Sequence, residues 1–67
     1  MYLINKSYGG INMYNIFNEN TMTIEAYHLN RNEVIYYAET MFDRSFKNYR
    51  QAVKALNDVD YDVVGRF

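Results

Sequence analysis

Cysteine is absent from this chain of 67 residues, so no disulfide can stabilise its fold. A single histidine also leaves too few ligands for a structural zinc ion, which takes four nitrogen or sulfur ligands. A domain of this length buries only about 60% of its unfolded surface, so its stability is small. The fold must therefore depend on a compact apolar core, with a protein partner as the remaining source of stability.

Apolar residues are numerous enough to build such a core. They make up 49% of the sequence when tyrosine is counted, which argues against general disorder. They are scattered, and no run approaches the roughly 18 residues needed to cross a membrane. Residues 1–6 lack the basic and apolar regions of a signal peptide, so we expect a cytoplasmic protein that does not bind a membrane. We interpret residues 1–67 as a single domain, with residues 1–12 as an edge strand or a flexible N-terminus.

Alternation of apolar and polar residues predicts a β-hairpin in the first half of the chain. Residues 13–18 and 21–29 are strand-like, and Asn18-Glu19-Asn20 between them is a turn signal. Asn30-Arg31-Asn32 is predicted to form a second turn, because asparagine tolerates left-handed backbone. In the second strand, alternation places one set of side chains on one face (Met22, Ile24, Ala26, His28) and the other set on the opposite face (Thr23, Glu25, Tyr27, Leu29).

Residues 33–42 are compatible with two structures. We favour a third strand, because Val-Ile-Tyr-Tyr is a poor opening for a helix and a good strand sequence. The alternative is one long helix that begins with a capping box formed by Asn30 and Glu33. In that helix, a heptad seam would run from Ile35 to Leu56.

A helix is predicted with less ambiguity from Phe46 onwards. Apolar residues recur there at helical spacing, Ser45 or Asp43 can cap its start, and Asn57 can end it. Residues 60–64 then form a last strand. The predicted fold class is α+β: a small antiparallel sheet, made of a three-strand meander plus a C-terminal strand, packed against one amphipathic helix. The alternative fold is a β-hairpin followed by one long helix.

The basic residues are concentrated in one stretch. Residues 44–57 carry +4 and contain no acid, whereas residues 1–43 carry −3 and residues 58–67 carry −2. A surface helix usually mixes both signs, because oppositely charged residues one turn apart stabilise it. The missing acids favour a binding surface, and neutralisation of these cations by carboxylates within the fold would refute that interpretation. The cations are Arg44, Lys47, Arg50 and Lys54.

Tyrosine occurs eight times, and it offers a large contact area at low entropic cost. We therefore predict a partner-binding site made of Tyr36 and Tyr49 together with the four cations. No arrangement of residues indicates catalysis, a cofactor or a metal, so we expect a protein that is not an enzyme. The run from Asp58 to Asp62 is similar to the opening of a calcium loop, but Val63 occupies the position where that loop requires glycine.

In composition, this tyrosine- and asparagine-rich chain with divided charge resembles the small bacteriophage proteins that bind and block host machinery. The resemblance implies a stoichiometric inhibitor that masks a site on a larger host protein or nucleoprotein complex, such as a defence or transcription complex. A first alternative is a weak nucleic-acid-binding protein that uses the basic helix face. Strong binders make about six to ten phosphate contacts, more than four cations supply. A second alternative is a self-assembling subunit that forms a homodimer through the Ile35–Leu56 seam.

Overall fold

The structure is a computed structural model, and it describes residues 13–66. Three antiparallel strands form one sheet in the order β2-β1-β3, and two helices connect β2 to β3. The α+β class is therefore confirmed, whereas the interpretation of residues 1–12 lies outside the described residues. In chain order, the elements are β1 (Met13–Asn18), β2 (Thr23–Leu29), α1 (Arg31–Phe42), α2 (Tyr49–Asp58) and β3 (Tyr61–Arg66).

The hairpin of β1 and β2 forms as predicted, and Asn18 organises its turn. The Asn18 Oδ1 accepts hydrogen bonds from the backbone N–H groups of Asn20 at 2.9 Å and Thr21 at 3.4 Å. Its Nδ2 donates to the Glu25 carboxylate at 3.3 Å and to the Tyr61 hydroxyl at 3.2 Å. This side chain therefore links the turn to β2 and β3, and both ends of its buried amide have partners.

The strict alternation predicted for β2 is wrong. The register between β1 and β2 shifts at two places, and each shift reverses the face on which the following side chains lie. Ala26 and Leu29 were predicted on opposite faces, yet both pack against the core. His28 has a positive φ of 58°, and its N–H donates to the Asn15 Oδ1 at 3.0 Å. A side-chain hydrogen bond thus compensates for the irregular backbone.

The strand predicted for residues 33–42 is also wrong, because these residues belong to α1. Asn30 is the N-cap of this helix and not part of a hairpin turn. Its side chain accepts from the Glu33 N–H at 2.9 Å, and the Glu33 carboxylate accepts from the Asn30 N–H at 2.8 Å. This capping box, with complete burial of Val34 and Ala38, outweighs the β preference of the Val-Ile-Tyr-Tyr segment.

The single long helix is excluded as well, because α1 ends at Phe42. Asp43 follows in the left-handed conformation with φ 56°, and its N–H donates to the Glu39 carbonyl. The predicted heptad seam cannot serve as a dimer contact, since Ala52 and Leu56 are fully buried in the core of the monomer.

The second helix, α2, begins at Tyr49 and not at the predicted Phe46. Its N-cap is Asn48, whose side chain accepts from the Gln51 N–H at 2.9 Å. Ser45 and Asp43, the predicted caps, precede the helix. Asparagine is among the best N-cap residues because its short side chain reaches the free N–H groups of the first turn.

Tyr14 contacts the first residue of each helix. Its hydroxyl accepts a hydrogen bond from Arg31 Nε at 3.4 Å, and its ring lies 5.4 Å from the ring of Tyr49. Residues 43–48 return along α1, where the Phe46 N–H donates to the Glu39 carboxylate at 3.0 Å. The first residues of α1 and α2 therefore lie at the same end of the sheet. Buried side chains of β1, α1 and α2 form the core: Tyr14, Ile16, Val34, Ala38, Ala52 and Leu56.

We expect Asn30→Ala to lower the free energy of unfolding by about 1 kcal/mol, because it removes the N-cap of α1. Asn32→Ala is the matched control, since Asn32 is exposed on the same helix. Urea denaturation followed by circular dichroism at 222 nm measures both. Equal stabilities of the two variants would contradict the role of the cap.

Candidate protein-binding surface

The four cations predicted from the sequence are all exposed along α2 and the segment before it. Arg50 and Lys54 lie one turn apart on the helix, on the side away from the buried residues. Lys47 immediately precedes the N-cap Asn48, and Arg44 follows the end of α1. We call Arg44, Lys47, Arg50 and Lys54 the cationic surface.

Carboxylates of the fold neutralise little of this charge. Within residues 13–66, the ion pair that forms joins Lys54 Nζ to Asp58 Oδ2 at 3.5 Å, with 77% and 65% of the two side chains exposed. Such exposed pairs contribute little to stability and do not prevent either group from meeting a partner. The Arg44 guanidinium lies 4.4 Å from the centre of the Phe46 ring. In the same part of the chain, Arg44, Lys47 and Arg50 have no carboxylate within 4.0 Å.

The start of α2 carries charge of the unfavourable sign. Its first turn contains no acid, and Lys47 and Arg50 lie on either side of Asn48. The N-terminus of a helix behaves as a partial positive charge, so acidic residues stabilise it and basic residues do not. The fold thus keeps cations at a position where they oppose its own stability. A negatively charged group on a partner would relieve that repulsion.

A depression of about 540 Å³ lies beside the start of α2, and we call it the arginine pocket. One of its arginines, Arg31, is held by two aromatic residues. Its guanidinium lies 5.1 Å from the centre of the Tyr49 ring, and its Nε donates to the Tyr14 hydroxyl. That hydroxyl raises the pKa of Arg31 by favouring the charged form. The pocket is lined by Arg31, Asn48, Tyr49, Arg50 and Val53.

Sequence reasoning did not identify Arg31 as a binding residue. It lies outside the basic segment 44–57 and was interpreted as part of a turn. Only the proximity of the two helix starts brings it next to Arg50. The available sequence signal was the capping box of Asn30 and Glu33, which places residue 31 at the first position of a helix.

A second depression of about 330 Å³ lies on the other side of the exposed helix face. Arg44 and Lys54 line it, together with Phe46 and Asp58. Arg50 belongs to the arginine pocket and Lys54 to this one, and residues four apart on a helix are neighbours. The two depressions are therefore joined by the cationic surface.

Tyr36 lies apart from this surface, in an apolar groove of about 530 Å³. Its side chain is 70% exposed. The residues that line the groove are Leu29, Glu33, Tyr36, Tyr37, Thr40 and Met41, and none of them lines either cationic depression. The structure thus brings Tyr49 together with Arg50, whereas it does not bring Tyr36 to any of the four predicted cations.

Acidic residues gather beyond the far end of α2. The Glu19 N–H donates to the Asp60 carbonyl at 3.0 Å, and a hydrogen bond with Asp62 raises the pKa of the Glu19 carboxyl, as does repulsion by Asp62 and Asp60. Asp58 ends α2 and Asp60 lies in the turn with φ 67°, so the two do not share a strand face with Asp62. In residues 13–66, no three histidine, aspartate or glutamate side chains are placed to hold a metal ion.

Comparisons with protein-family models, curated proteins and solved structures found no match to this chain. In the part of the chain that the structure describes, neither helix combines the length and apolar character needed to cross a membrane.

We expect Arg50→Glu to raise the free energy of unfolding by about 0.5 kcal/mol, because it places an acid in the first turn of α2. Lys54→Glu makes the same charge change beyond the first turn and also breaks the exposed ion pair with Asp58, so it should give no such gain. Urea denaturation at low ionic strength measures both, and added salt should reduce the difference. A loss of stability in Arg50→Glu would contradict the electrostatic account of this helix start.

The stability should also fall at alkaline pH through Tyr49. Burial, and then the neighbouring Tyr14, raise the pKa of Tyr49 to about 12, against about 10 for an unperturbed tyrosine. The fold favours the neutral phenol, so this contribution is complete below pH 10 and is lost as the pH rises through about 12. Tyr49→Phe should therefore flatten the alkaline decline in unfolding free energy. Tyr27→Phe, which removes an exposed tyrosine, is the control, and an equal flattening there would contradict the assignment.

Proposed function

We propose that this chain is a small non-enzymatic binding module that docks its cationic surface onto an acidic surface of a larger protein and masks a site there. The observation that supports this most is that Arg44, Lys47 and Arg50, around the start of α2, have no carboxylate partner among residues 13–66. Charge of this kind steers association and selects complementary partners. Tyr49, at the centre of the region, supplies rigid contact area beside it.

The biological form of this function that we propose is a phage-type inhibitor of a cytoplasmic host protein or nucleoprotein complex. The compositional resemblance to such inhibitors suggests this form, and the charge distribution of the fold is compatible with it. Cations lie around the start of α2 and acids lie beyond its end, so the charge distribution is dipolar. A dipolar charge distribution favours one orientation on a target, which a stoichiometric blocker requires.

Nucleic-acid binding is the second candidate, because one arginine of the cationic surface and one of the arginine pocket stack on aromatic rings. Arg44 lies over Phe46 and Arg31 over Tyr49, and such platforms can also stack the bases of a single strand. Strong nucleic-acid binders make about six to ten phosphate contacts, and this chain offers fewer cations than that on its cationic surface. The acids at the other end of α2 would repel an extended polyanion, so a protein partner is favoured.

We expect the triple variant Lys47→Gln, Arg50→Gln, Lys54→Gln to retain its fold. It should bind the partner roughly tenfold less tightly, because it removes the charges that steer docking. The measurement is affinity capture from a lysate treated with nuclease, followed by mass spectrometry. The captured protein is then produced separately, and its dissociation constant is measured against both chains.

The matched control is the triple variant Asn20→Asp, Thr21→Glu, Met22→Glu. It changes the net charge by the same amount in the exposed turn between β1 and β2, at the opposite end of the sheet from the start of α2. Affinity should survive in this control. Equal loss in both variants would mean that net charge alone matters, and unchanged affinity in the first would refute the proposed function. Loss of all capture after nuclease treatment would favour nucleic acid instead.

A further inference from the structure

We propose that the arginine pocket is the anchor of the interface and that it takes one acidic side chain, aspartate or glutamate, of the partner protein. The inference rests on the proposed protein-binding function and adds the chemistry of recognition. Arg31 and Arg50 line the pocket, and among residues 13–66 no acid lines it. An acidic side chain of the partner would supply the negative charge that this pair of guanidinium groups attracts.

Arg31 is oriented in advance for this contact. A guanidinium group carries five N–H donors, and the Tyr14 hydroxyl takes the one on Nε. Tyr49 covers a face of the same group. Within residues 13–66, no acceptor is bonded to the two Nη groups, whose paired N–H bonds match the two oxygens of a carboxylate. Because the fold already holds the side chain, binding costs little of the entropy that a free arginine would lose.

The walls of the pocket strengthen such an ion pair. Tyr49 and Val53 are partly buried, and their apolar surfaces adjoin the two arginines. An ion pair beside apolar walls is less screened by water than one on an open surface. The same walls can contact the methylene groups of the acidic residue or an apolar residue next to it. The preferred occupant is therefore an acidic residue in an apolar stretch of the partner, and not a run of acids.

The test uses the full chain, labelled with ¹⁵N and ¹³C for NMR, and two peptides with blocked ends. Ser-Leu-Glu-Leu-Ser is the probe, and Ser-Leu-Gln-Leu-Ser is the matched control without the charge. The glutamate peptide should shift the side-chain resonances of Arg31 and Arg50 and the ring resonances of Tyr49. The glutamine peptide should leave them unchanged, and equal shifts from both peptides would overturn the proposal.

Variants separate the pocket from general charge. Arg31→Gln should weaken binding of the glutamate peptide by about tenfold, the loss expected for a hydrogen bond to a charged group. Arg31→Lys keeps the positive charge but lacks the paired N–H donors of a guanidinium group, so it should also bind the glutamate peptide less tightly. Arg44→Gln, an equal charge change in the other depression, should bind as the unaltered chain does. An equal effect of Arg44→Gln would overturn the proposal.

Two further measurements test the proposal without relying on the Arg31→Gln variant. No hydrogen bond or ring contact within residues 13–66 joins Arg50 to Tyr14 or Tyr49, so Arg50→Gln tests the pocket even if Arg31→Gln fails to fold, and unchanged binding of the glutamate peptide would overturn the proposal. If an oligonucleotide of ten deoxythymidines shifts the Arg31 resonances more than the glutamate peptide does, the occupant is a phosphate and the proposal is wrong.

Partner capture distinguishes the two proposals. If Arg31→Gln retains full affinity for the captured partner while the triple glutamine variant loses it, the anchor is wrong and the binding function stands. If the triple variant retains partner affinity but Arg31→Gln abolishes binding of the glutamate peptide, the carboxylate site stands and the proposed function fails.

Discussion

The contact of Tyr14 with the first residues of both helices is the interaction on which this small fold depends. Tyr14 is on the central strand β1 and is 9% exposed, so it belongs to the core, and its hydroxyl accepts a hydrogen bond from Arg31. Its ring also packs against Tyr49. In a chain without disulfides, one side chain thus ties the sheet to α1 and α2 together. The position of the arginine pocket follows directly, because the pocket lies where those two helices begin.

Local signals in the sequence predicted part of the fold. The hairpin was predictable because Asn18 is a strong turn residue, and the capping box of Asn30 and Glu33 was visible in the sequence. Residues 33–42 have a high β propensity, which predicts a strand, yet the cap and the core hold them in a helix. Propensities differ by fractions of a kcal/mol per residue, whereas burying Val34 and Ala38 in a shared core contributes more. That burial depends on partners distant in the sequence, which local patterns do not reveal.

Only the part of the candidate site that comes from one continuous segment was predictable from the sequence. The segment that contains Arg50 and Lys54 could be recognised from its lack of acids. The place of Arg31 beside Arg50 could not be, because it results from the return of residues 43–48 along α1. Tyr36 is the reverse case. Composition groups it with the four cations, whereas in the fold it lines a groove that none of them lines. Cations at the start of α2 oppose the stability of the helix, and natural proteins often accept such a cost at a functional surface.

The irregular backbone of β2 has a consequence for association with other chains. Among the described strands, β2 lies at one edge of the sheet, where unpaired N–H and C=O groups invite a foreign strand to add. Its two register shifts and the left-handed His28 break the regular spacing that such addition requires. The bulges therefore deter polymerisation of copies of this chain into a continuous sheet, because such a sheet would need strand addition at β2 as well as at β3.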